Sequence, residues 1–547
     1  MRHRALLAAP FAALPLLAAC GSDAGTASTV PPPPTTSYRT VDLGVAVDQD
    51  RAPISPYVYG SNQDDGTSRW TVRRYGGNRL TGYNWESNCS SAGSDYQQSS
   101  DDYLISSAGL TAADAAIPGR AITHFHDQSI AMGAQSIVTL QMAGFVAADC
   151  AGTVSAADAA PSRRWLRVEP RKGAAFSLTP DRTDGVVYMD ELVNMLVQRY
   201  GGAASSQGVR WYSLDNEPAL WSSTHPRIHP QPVGAAELVD RSVALASAVK
   251  AVDANARIIG PAAYGISEYV SLQDAPDWPA VKGDAEWFID YYLARMRAAE
   301  PTAGRRLLDV LDVHYYPEAI GDHRITDGSA TTSADEAARL QAPRTLWDAS
   351  YHENSWVGQY MGAYLPLLPR LQRSIAQRYP GTGLAISEYD FGGGATISGG
   401  IAQADVLGIL GRAGVQLATR WGIAPSDVYA AAGFKLYRDY DGQGGSFGNT
   451  SVRATTSDTA RASVYASIVD ADASVLHLIL LNRDQHDTLS MRVRVTGGAT
   501  YGSARAWSFG AGRPTIAAQG AVGGASATGV TLPVAPLTAV HLVLRTQ

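Results

Sequence analysis

Ser213-Leu214-Asp215-Asn216-Glu217-Pro218-Ala219-Leu220-Trp221 is the stretch on which the reading of this chain turns. The residues leading into it, 209–214, are β-prone and end abruptly in polar groups. That is the pattern of a buried strand delivering Asn216 and Glu217 to an open strand end. A glutamate there is badly placed for a core and well placed for chemistry. Pro218 stops the ladder, and Trp221 offers a flat apolar face nearby. Gly383-Leu384-Ala385-Ile386-Ser387-Glu388-Tyr389-Asp390 is a second apolar run ending in glutamate. Two strand-end carboxyls are what hydrolysis of a glycosidic bond requires, one as acid and one as its partner. Either glutamate alone reads equally well as a helix cap or a surface ion pair. The pair, with the neighbours described below, does not.

At 547 residues the chain exceeds one ordinary core, so two domains, or a barrel with an appendage, are expected. Hydrophobic residues make up 45% and charged residues 17%, which excludes wholesale disorder. The net charge of −7, with no Lys/Arg-rich run, argues against a nucleic-acid partner. Tyr (26) and Trp (11) outnumber Phe (9), and rings with polar edges suit sugar faces as well as cores.

In chain order, residues 1–20 read as a signal peptide: Arg2 and Arg4, an apolar run from Ala5 to Leu17, then Leu17-Ala18-Ala19-Cys20. The run is too short for a permanent span. Its ending resembles a bacterial lipoprotein signal, in which Cys20 becomes the acylated first residue. That predicts a lipid-anchored protein on the cell envelope or extracellular side, with a secreted one as the alternative. Residues 21–38, containing Pro31 to Pro34, form a tether. Residues 40–48 alternate strictly, with Val41, Leu43, Val45 and Val47 on one face. The same texture returns at 463–469, 475–481, 491–495, 504–508 and 540–544, which predicts an all-β sandwich drawing strands from both chain ends.

Between these ends, strands alternate with amphipathic helices. Apolar strand cores fall at 71–75, 136–140, 209–214, 257–260, 308–313, 383–387 and 415–421. Leu238, Ser242, Leu245, Val249 and Val252 share one helical face, as do Met189, Leu192, Val193, Leu196 and Tyr200. This predicts an α/β fold, a (β/α)₈ barrel, with 165–168 as the third strand. A doubly wound sheet is the runner-up, but no glycine-rich phosphate loop follows the first strand. The division is then 39–58 for the N-terminal part of the sandwich, 59–448 for the barrel and 449–547 for the rest of the sandwich.

Strand ends on one barrel face converge on one site. Arg74 ends the first apolar strand, Asn216 and Glu217 the fourth, His314 and Tyr316 the sixth, Glu388 the seventh and Trp421 the eighth. Each alone has an ordinary structural explanation; their coincidence is the signal. Glu217 must be protonated to donate to the leaving oxygen, so its pKa has to be raised. Glu388 must be ionised to attack the anomeric carbon, and Arg74 favours that form. Asn216 can bond the sugar 2-hydroxyl, Tyr316 or His314 can hold the nucleophile's second oxygen, and Trp421 can floor the reacting sugar.

An Asn-Glu-Pro after strand four with a Glu after strand seven resembles the large clan of retaining glycoside hydrolases on (β/α)₈ barrels. Longer stretches resemble glycoside hydrolase family 44, the endoglucanases and xyloglucanases. They are Tyr59-Gly60-Ser61-Asn62-Gln63-Asp64, Gly76-Gly77-Asn78-Arg79 to Tyr83-Asn84-Trp85-Glu86, and Ala92-Gly93-Ser94-Asp95-Tyr96. Leu214 to Trp221 running into Thr224-His225-Pro226, Asp312 to Glu318, and Lys435-Leu436-Tyr437-Arg438 to Asp441-Gly442 join them. The resemblance implies Glu217 as acid/base, Glu388 as nucleophile, Trp85 and Trp221 among the substrate-binding or supporting residues, and a monomer that acts on β-1,4-glucans. It implies no required cofactor. Tyr75 departs from the Trp expected between Arg and Gly-Gly. Some relatives bind calcium, for which Asp101, Asp102, Asp439 and Asp441 are the candidates; no His-Glu-x-x-His or Cys/His cluster is present. The competing readings are a non-catalytic glycan-binding lipoprotein and the same chemistry on xylan or mannan.

Three cysteines complete the reading. With Cys20 acylated, Cys89 and Cys150 remain in an oxidising compartment. They lie in loops after consecutive strands, which emerge side by side in a parallel barrel, so a Cys89–Cys150 disulfide is expected.

Overall fold

The computed structural model describes residues 38–62, 69–498, 500–523, 526 and 529–546. The expectations for the signal peptide, Cys20 and the tether lie outside the described residues, as do Gln63 and Asp64.

Eight parallel strands close into a barrel. They are β1 (Gly60–Asn62), β2 (Val72–Tyr75), β3 (Gln135–Leu140), β4 (Trp211–Leu214), β5 (Arg257–Ala263), β6 (Val310–Tyr315), β7 (Gly383–Tyr389) and β8 (Leu417–Trp421). β8 pairs with β1, and β1 with β2, which completes the ring. The interior is filled, not open. Val72, Ile137, Trp211, Ile259, Val310, Ala385 and Leu417, from β2 to β8 in order, make one buried cluster with Tyr57 packed against it. β1 contributes Gly60 at this level, and a Cβ there would come within 2.6 Å of Val72 and of the Ala418 carbonyl. The close fit admits glycine alone.

Two strand expectations are corrected. The first barrel strand is Gly60–Asn62, which sequence reading passed over, so Arg74 ends the second strand. Residues 165–168 are not in the barrel. Trp165–Glu169 pairs with Phe145–Ala147 and Val186–Tyr188 in a small side sheet. The two errors offset, and the strands before Glu217 and at Glu388 are still the fourth and seventh.

The helix after the side sheet, Met189–Tyr200, buries Met189, Leu192, Val193 and Leu196 at helical spacing, as expected. The helix Ile397–Arg412 after β7 is buried on nearly every side. It lies between the barrel and a second layered unit, so no face meets water. There the fully buried Asp405 accepts from Tyr465 Oη at 2.6 Å and Arg483 Nη1 at 2.9 Å.

That second unit is an all-β sandwich. The strand Tyr38–Ala46 runs parallel to Thr488–Thr496 and antiparallel to Thr450–Thr456. Inward residues from opposite ends of the strand order share one core, among them Val41, Leu43, Leu478, Met491, Leu532 and Leu542. A flat sheet cannot do that, so the ladder is folded over into two layers. Three further strands, Thr450–Thr456, Arg513–Ala521 and Gly529–Val534, were not anticipated.

Cys89 and Cys150 are bonded, with Cα atoms 5.2 Å apart. They join the loops after β2 and β3, which are neighbours in the ring. The bond spans 61 residues, and closing a loop of that length stabilises the fold by about 4 kcal/mol in the chain-entropy model. Cys89→Ser is therefore expected to lower the denaturant midpoint measurably without changing the folded circular-dichroism spectrum, and reduction of the native protein is expected to match it.

Candidate active site

Above the apolar plug the barrel interior turns polar. Asp312 on β6 accepts from Ser387 Oγ at 2.7 Å and Ser387 N at 3.1 Å on β7. Asn62 Nδ2 donates to Ser387 O at 2.8 Å and Thr419 O at 3.2 Å, tying β1 to β7 and β8. The register slips between Val313 and His314 in β6. Such bulges re-aim side chains at the rim of a barrel. Here the slip sets His314 directly beside Glu388 across the strand pair.

Arg74, at the end of β2, is wholly buried. Its Nη1 donates to Glu388 Oε2 at 2.9 Å and Asn62 Oδ1 at 3.1 Å; its Nη2 donates to Asn216 Oδ1 at 2.8 Å. Gly76 makes this possible, since a Cβ there would lie 2.4 Å from the guanidinium carbon. Tyr316 Oη donates to Glu388 Oε1 at 2.6 Å. Both oxygens of Glu388 thus face donors, one of them cationic, which orients the carboxylate.

Glu217 sits in a tight turn. Asp215 and Glu217 both have left-handed backbones, φ 61° and 43°. Neither is glycine, so the turn is held against its own preference. Asp215 does the holding. Its buried carboxylate accepts from Thr81 Oγ1 at 2.6 Å, Asn216 N at 2.8 Å, Ala143 N at 3.1 Å and Met142 N. Glu217 N donates to Ala262 O at 3.0 Å.

The two glutamates live in opposite surroundings. Burial pushes the Glu217 carboxyl up to about 7; Arg74 opposes the shift and Asp95 adds to it. Glu217 Oε1 lies 2.9 Å from His314 Nδ1. Burial holds the His314 ring down to about 4, so it is neutral at ordinary pH. Its Nε2 is buried without a partner. A proton on Nε2 would leave a buried donor unpaired, so it belongs on Nδ1, donating to Glu217 Oε1. The acid proton of Glu217 then sits on Oε2. His314 Nδ1 also lies 3.6 Å from Glu388 Oε2. One oxygen from each glutamate and this nitrogen all lie within 4.8 Å of one another.

Of the remaining expected residues, Asn216 is braced rather than free. Beyond Arg74, its Nδ2 donates to Asn78 Oδ1 at 3.0 Å, and Asn78 Nδ2 in turn donates to Asp95 at 3.1 Å. Trp421 is 37% exposed at the end of β8. Of the substrate-binding or supporting residues expected, Trp221 and Trp85 are fully buried, so neither ring meets a sugar and only a supporting place is left to them. Trp221 supports the site, its Nε1 donating to Asn216 O at 3.2 Å, while Trp85 Nε1 donates to Tyr188 O at 3.3 Å in the scaffold. Three of the four carboxylates considered for calcium have protein partners. Asp101 pairs with Arg79, and Asp439 and Asp441 accept backbone N–H groups of residues 443–445.

Sequence reading missed the aromatic wall on the Glu217 side. A cavity of about 330 Å³ there is lined by Glu217, Tyr264, Ile266, Tyr316, Trp356 and Leu365. Trp356 is 38% exposed and lies between β6 and β7, far from any strand end. Its only sequence signal is the preceding Ser355, which caps the short helix Trp356–Tyr360. The arrangement can protonate a bridging oxygen from one side and present an oriented carboxylate from the other, beside a cavity of sugar-binding character.

Comparison with known proteins agrees. The family model of glycoside hydrolase family 44 matches residues 89–319. Endoglucanase A of Paenibacillus lautus is 51% identical over 521 residues, covering 94% of this chain and 74% of that protein. The structure of a family 44 xyloglucanase from Paenibacillus polymyxa with xyloglucan superposes with a TM-score of 0.91 at 50% identity, over 93% of this chain and 100% of that one. A family 44 endoglucanase from Clostridium thermocellum gives a TM-score of 0.91 at 50% identity over 92% of this chain and 100% of that one. With identity at this level across barrel and sandwich alike, the chain belongs to glycoside hydrolase family 44.

Proposed function

We propose that this glycoside hydrolase cleaves the backbone of β-1,4-glucans, xyloglucan included, at internal positions and with retention of anomeric configuration. Glu388 is the nucleophile and Glu217 the acid/base. The observation that carries the reading is the contrast between two carboxyls that each bring one oxygen within 4.8 Å of the other, one raised to about 7 by burial and one held between Arg74 and Tyr316. Retaining enzymes keep their carboxyls about 5–5.5 Å apart, whereas inverting ones leave room for a water between them. The names of the Paenibacillus relatives supply the substrate class.

In the first step Glu388 attacks the anomeric carbon while Glu217 Oε2–H protonates the departing oxygen. The leaving sugar occupies the cavity on the Glu217 side, with Trp356 offering a ring face. Asn216 has one amide hydrogen left for the 2-hydroxyl. In the second step Glu217, now ionised, takes a proton from water as it attacks the glycosyl–Glu388 ester. His314, neutral throughout, fixes Glu217 Oε1 without competing for the proton. Trp421 stands at the barrel mouth as the floor for the reacting sugar.

The lipid anchor at Cys20 and the monomeric state belong to the same proposal. Labelled palmitate incorporated by the native chain and lost in Cys20→Ala, together with a monomer mass by light scattering, is the expected result; an unlabelled native chain removes the anchor.

Glu388→Ala is expected to abolish hydrolysis of soluble glucans and to be rescued by azide as the glycosyl azide of inverted configuration. Glu217→Ala is expected to spare aryl glycosides with good leaving groups, which need little protonation. Equal behaviour of the two variants on an aryl substrate overturns the roles. Reducing-sugar release across glucan, xyloglucan, xylan and mannan ranks the substrates.

The acid must be protonated to act, so kcat/KM is expected to hold below pH about 7 and to fall tenfold per unit above it. Glu217→Ala, assayed on the aryl substrate, should lose that alkaline limb.

Tyr316→Phe removes a hydrogen bond to a charged oxygen. Such bonds contribute about 1.5–3 kcal/mol, so turnover is expected to drop roughly 10- to 100-fold at an unchanged melting temperature.

A further inference from the structure

Asn216, the residue in front of Glu217, is held by a short chain of side chains that runs from Arg74 to Asp95. Arg74 Nη2 donates to Asn216 Oδ1 at 2.8 Å, Asn216 Nδ2 donates to Asn78 Oδ1 at 3.0 Å, and Asn78 Nδ2 reaches both oxygens of Asp95 at 3.1 Å. The two ends of this chain differ in kind. A guanidinium only donates, and a carboxylate only accepts. Each amide between them has a donor side and an acceptor side of nearly the same shape, so shape alone does not decide which way it faces. Hydrogen bonding does. One arrangement of the two amides satisfies both ends, and it leaves a single Asn216 N–H for the substrate.

Asp95 and the backbone of Asn78 are both fixed against the segment that carries the acid. Asp95 belongs to the 3₁₀ turn Gly93–Tyr96. Gly93 in that turn has a left-handed backbone, φ 55°, and a Cβ there would fall 2.1 Å from Thr224 O. Ser94 Oγ donates to Ser223 O at 2.6 Å. Residues 223 and 224 close the short helix Trp221–Thr224, just past Glu217. The next residue, His225, is buried, with Nε2 2.7 Å from Asn78 O. Burial holds its ring down to about 4, so it is neutral at ordinary pH. Its Nδ1 is buried without a partner, so the proton belongs on Nε2, donating to the Asn78 carbonyl. With its backbone tied down in this way, the freedom left to Asn78 is which way its amide faces, and the Asp95 carboxylate decides that. Turned over, Asn78 would set its own NH₂ against that of Asn216, and the contact that holds the Asn216 amide plane would be lost.

We propose that Asp95 is a positioning residue for glycoside cleavage: by fixing the amide of Asn78 it aims the spare N–H of Asn216 at the 2-hydroxyl of the sugar under attack. The assignment rests on the roles given above to Glu217, Glu388 and Asn216. Asp95 acts through the two amides and needs no contact of its own with the substrate. Because the bond to the 2-hydroxyl strengthens in the transition state, its aim governs kcat more than KM.

The test compares an aryl β-cellotrioside with its analogue lacking the 2-hydroxyl on the sugar that bears the aryl group. Both are assayed with the native chain, Asp95→Ala and Asp95→Asn at about pH 5, well below the value of about 7 set for Glu217, so the effect of the Asp95 charge on that acid drops out. The ratio of kcat/KM for the two substrates isolates the 2-hydroxyl contact, because their intrinsic reactivities cancel between variants. Asp95→Ala is expected to shrink that ratio about fivefold or more, through kcat on the complete substrate. Asp95→Asn, whose amide oxygen still accepts from Asn78, is expected to keep it within about twofold of native. Residue 95 is exposed, so both variants are expected to melt as the native chain does. The proposal is overturned if Asp95→Ala keeps the native ratio, whatever its overall activity, or if Asp95→Asn loses as much of it as Asp95→Ala. A native chain that leaves the aryl substrate intact, or cleaves it with inversion, overturns instead the roles of the two glutamates, and this assignment with them.

Discussion

A single buried cation organises the catalytic face. Arg74 has no access to water, and an unpaired buried guanidinium would be prohibitively costly. Its direct carboxylate partner at the site is Glu388, at 2.9 Å. That contact fixes the orientation of the Glu388 carboxyl. Glu217, held instead by a neutral imidazole, is left to the effect of its burial and keeps its proton to about pH 7. One positive charge therefore gives two chemically identical side chains different surroundings. The same guanidinium orders Asn62 and Asn216, so β1, β2, β4 and β7 meet at one group.

The scaffold below explains why this group stays put. The plug of Val72, Ile137, Trp211, Ile259, Val310, Ala385 and Leu417 closes the barrel with apolar side chains one layer beneath the polar ones. Hydrogen bonds between Asp312 and Ser387, and from Asn62 to Ser387 and Thr419, then make a layer in which strands are bonded through side chains as well as backbone. Preorganisation of this kind is what allows fixed dipoles and charges to act without rearranging during the reaction.

The parts of the site that were legible in sequence are those where an apolar run ends in a group a core does not want. Glu217, Glu388, His314 and Arg74 all announce themselves in this way. β1 did not, because Gly-Ser-Asn is three residues with no apolar periodicity; its place in the ring depends on glycine's lack of a side chain and on Asn62 bonding to other strands. The run at 165–168 misled for the opposite reason: it is a genuine strand with a β pattern, but its partners are the short strands Phe145–Ala147 and Val186–Tyr188 outside the barrel. For Trp221 and Trp85 the sequence leaves binding and support undivided, because aromatic character is visible in it and exposure is not. Trp356, which does face solvent, lies in a long connection that periodicity cannot rank. The sandwich was read from strict alternation, and it lost Arg513–Ala521 because that strand is mostly exposed and carries little apolar pattern.

The sandwich is part of the catalytic scaffold through one helix. Ile397–Arg412 follows the strand that bears Glu388, and it is wedged between β7 and the sandwich. Asp405, in its middle, is a buried charge that helix packing alone would not tolerate. Its partners, Tyr465 and Arg483, both come from the sandwich. Gly408 on the same helix faces the Tyr465 ring so closely that a Cβ would fall 2.3 Å from it. The polar partners of the helix thus come from the sandwich, in which the strand Tyr38–Ala46 lies between Thr450–Thr456 and Thr488–Thr496. Both ends of the described chain thus converge on the support of the strand that carries Glu388, which is a physical reason for a barrel enzyme to keep so large an appendage.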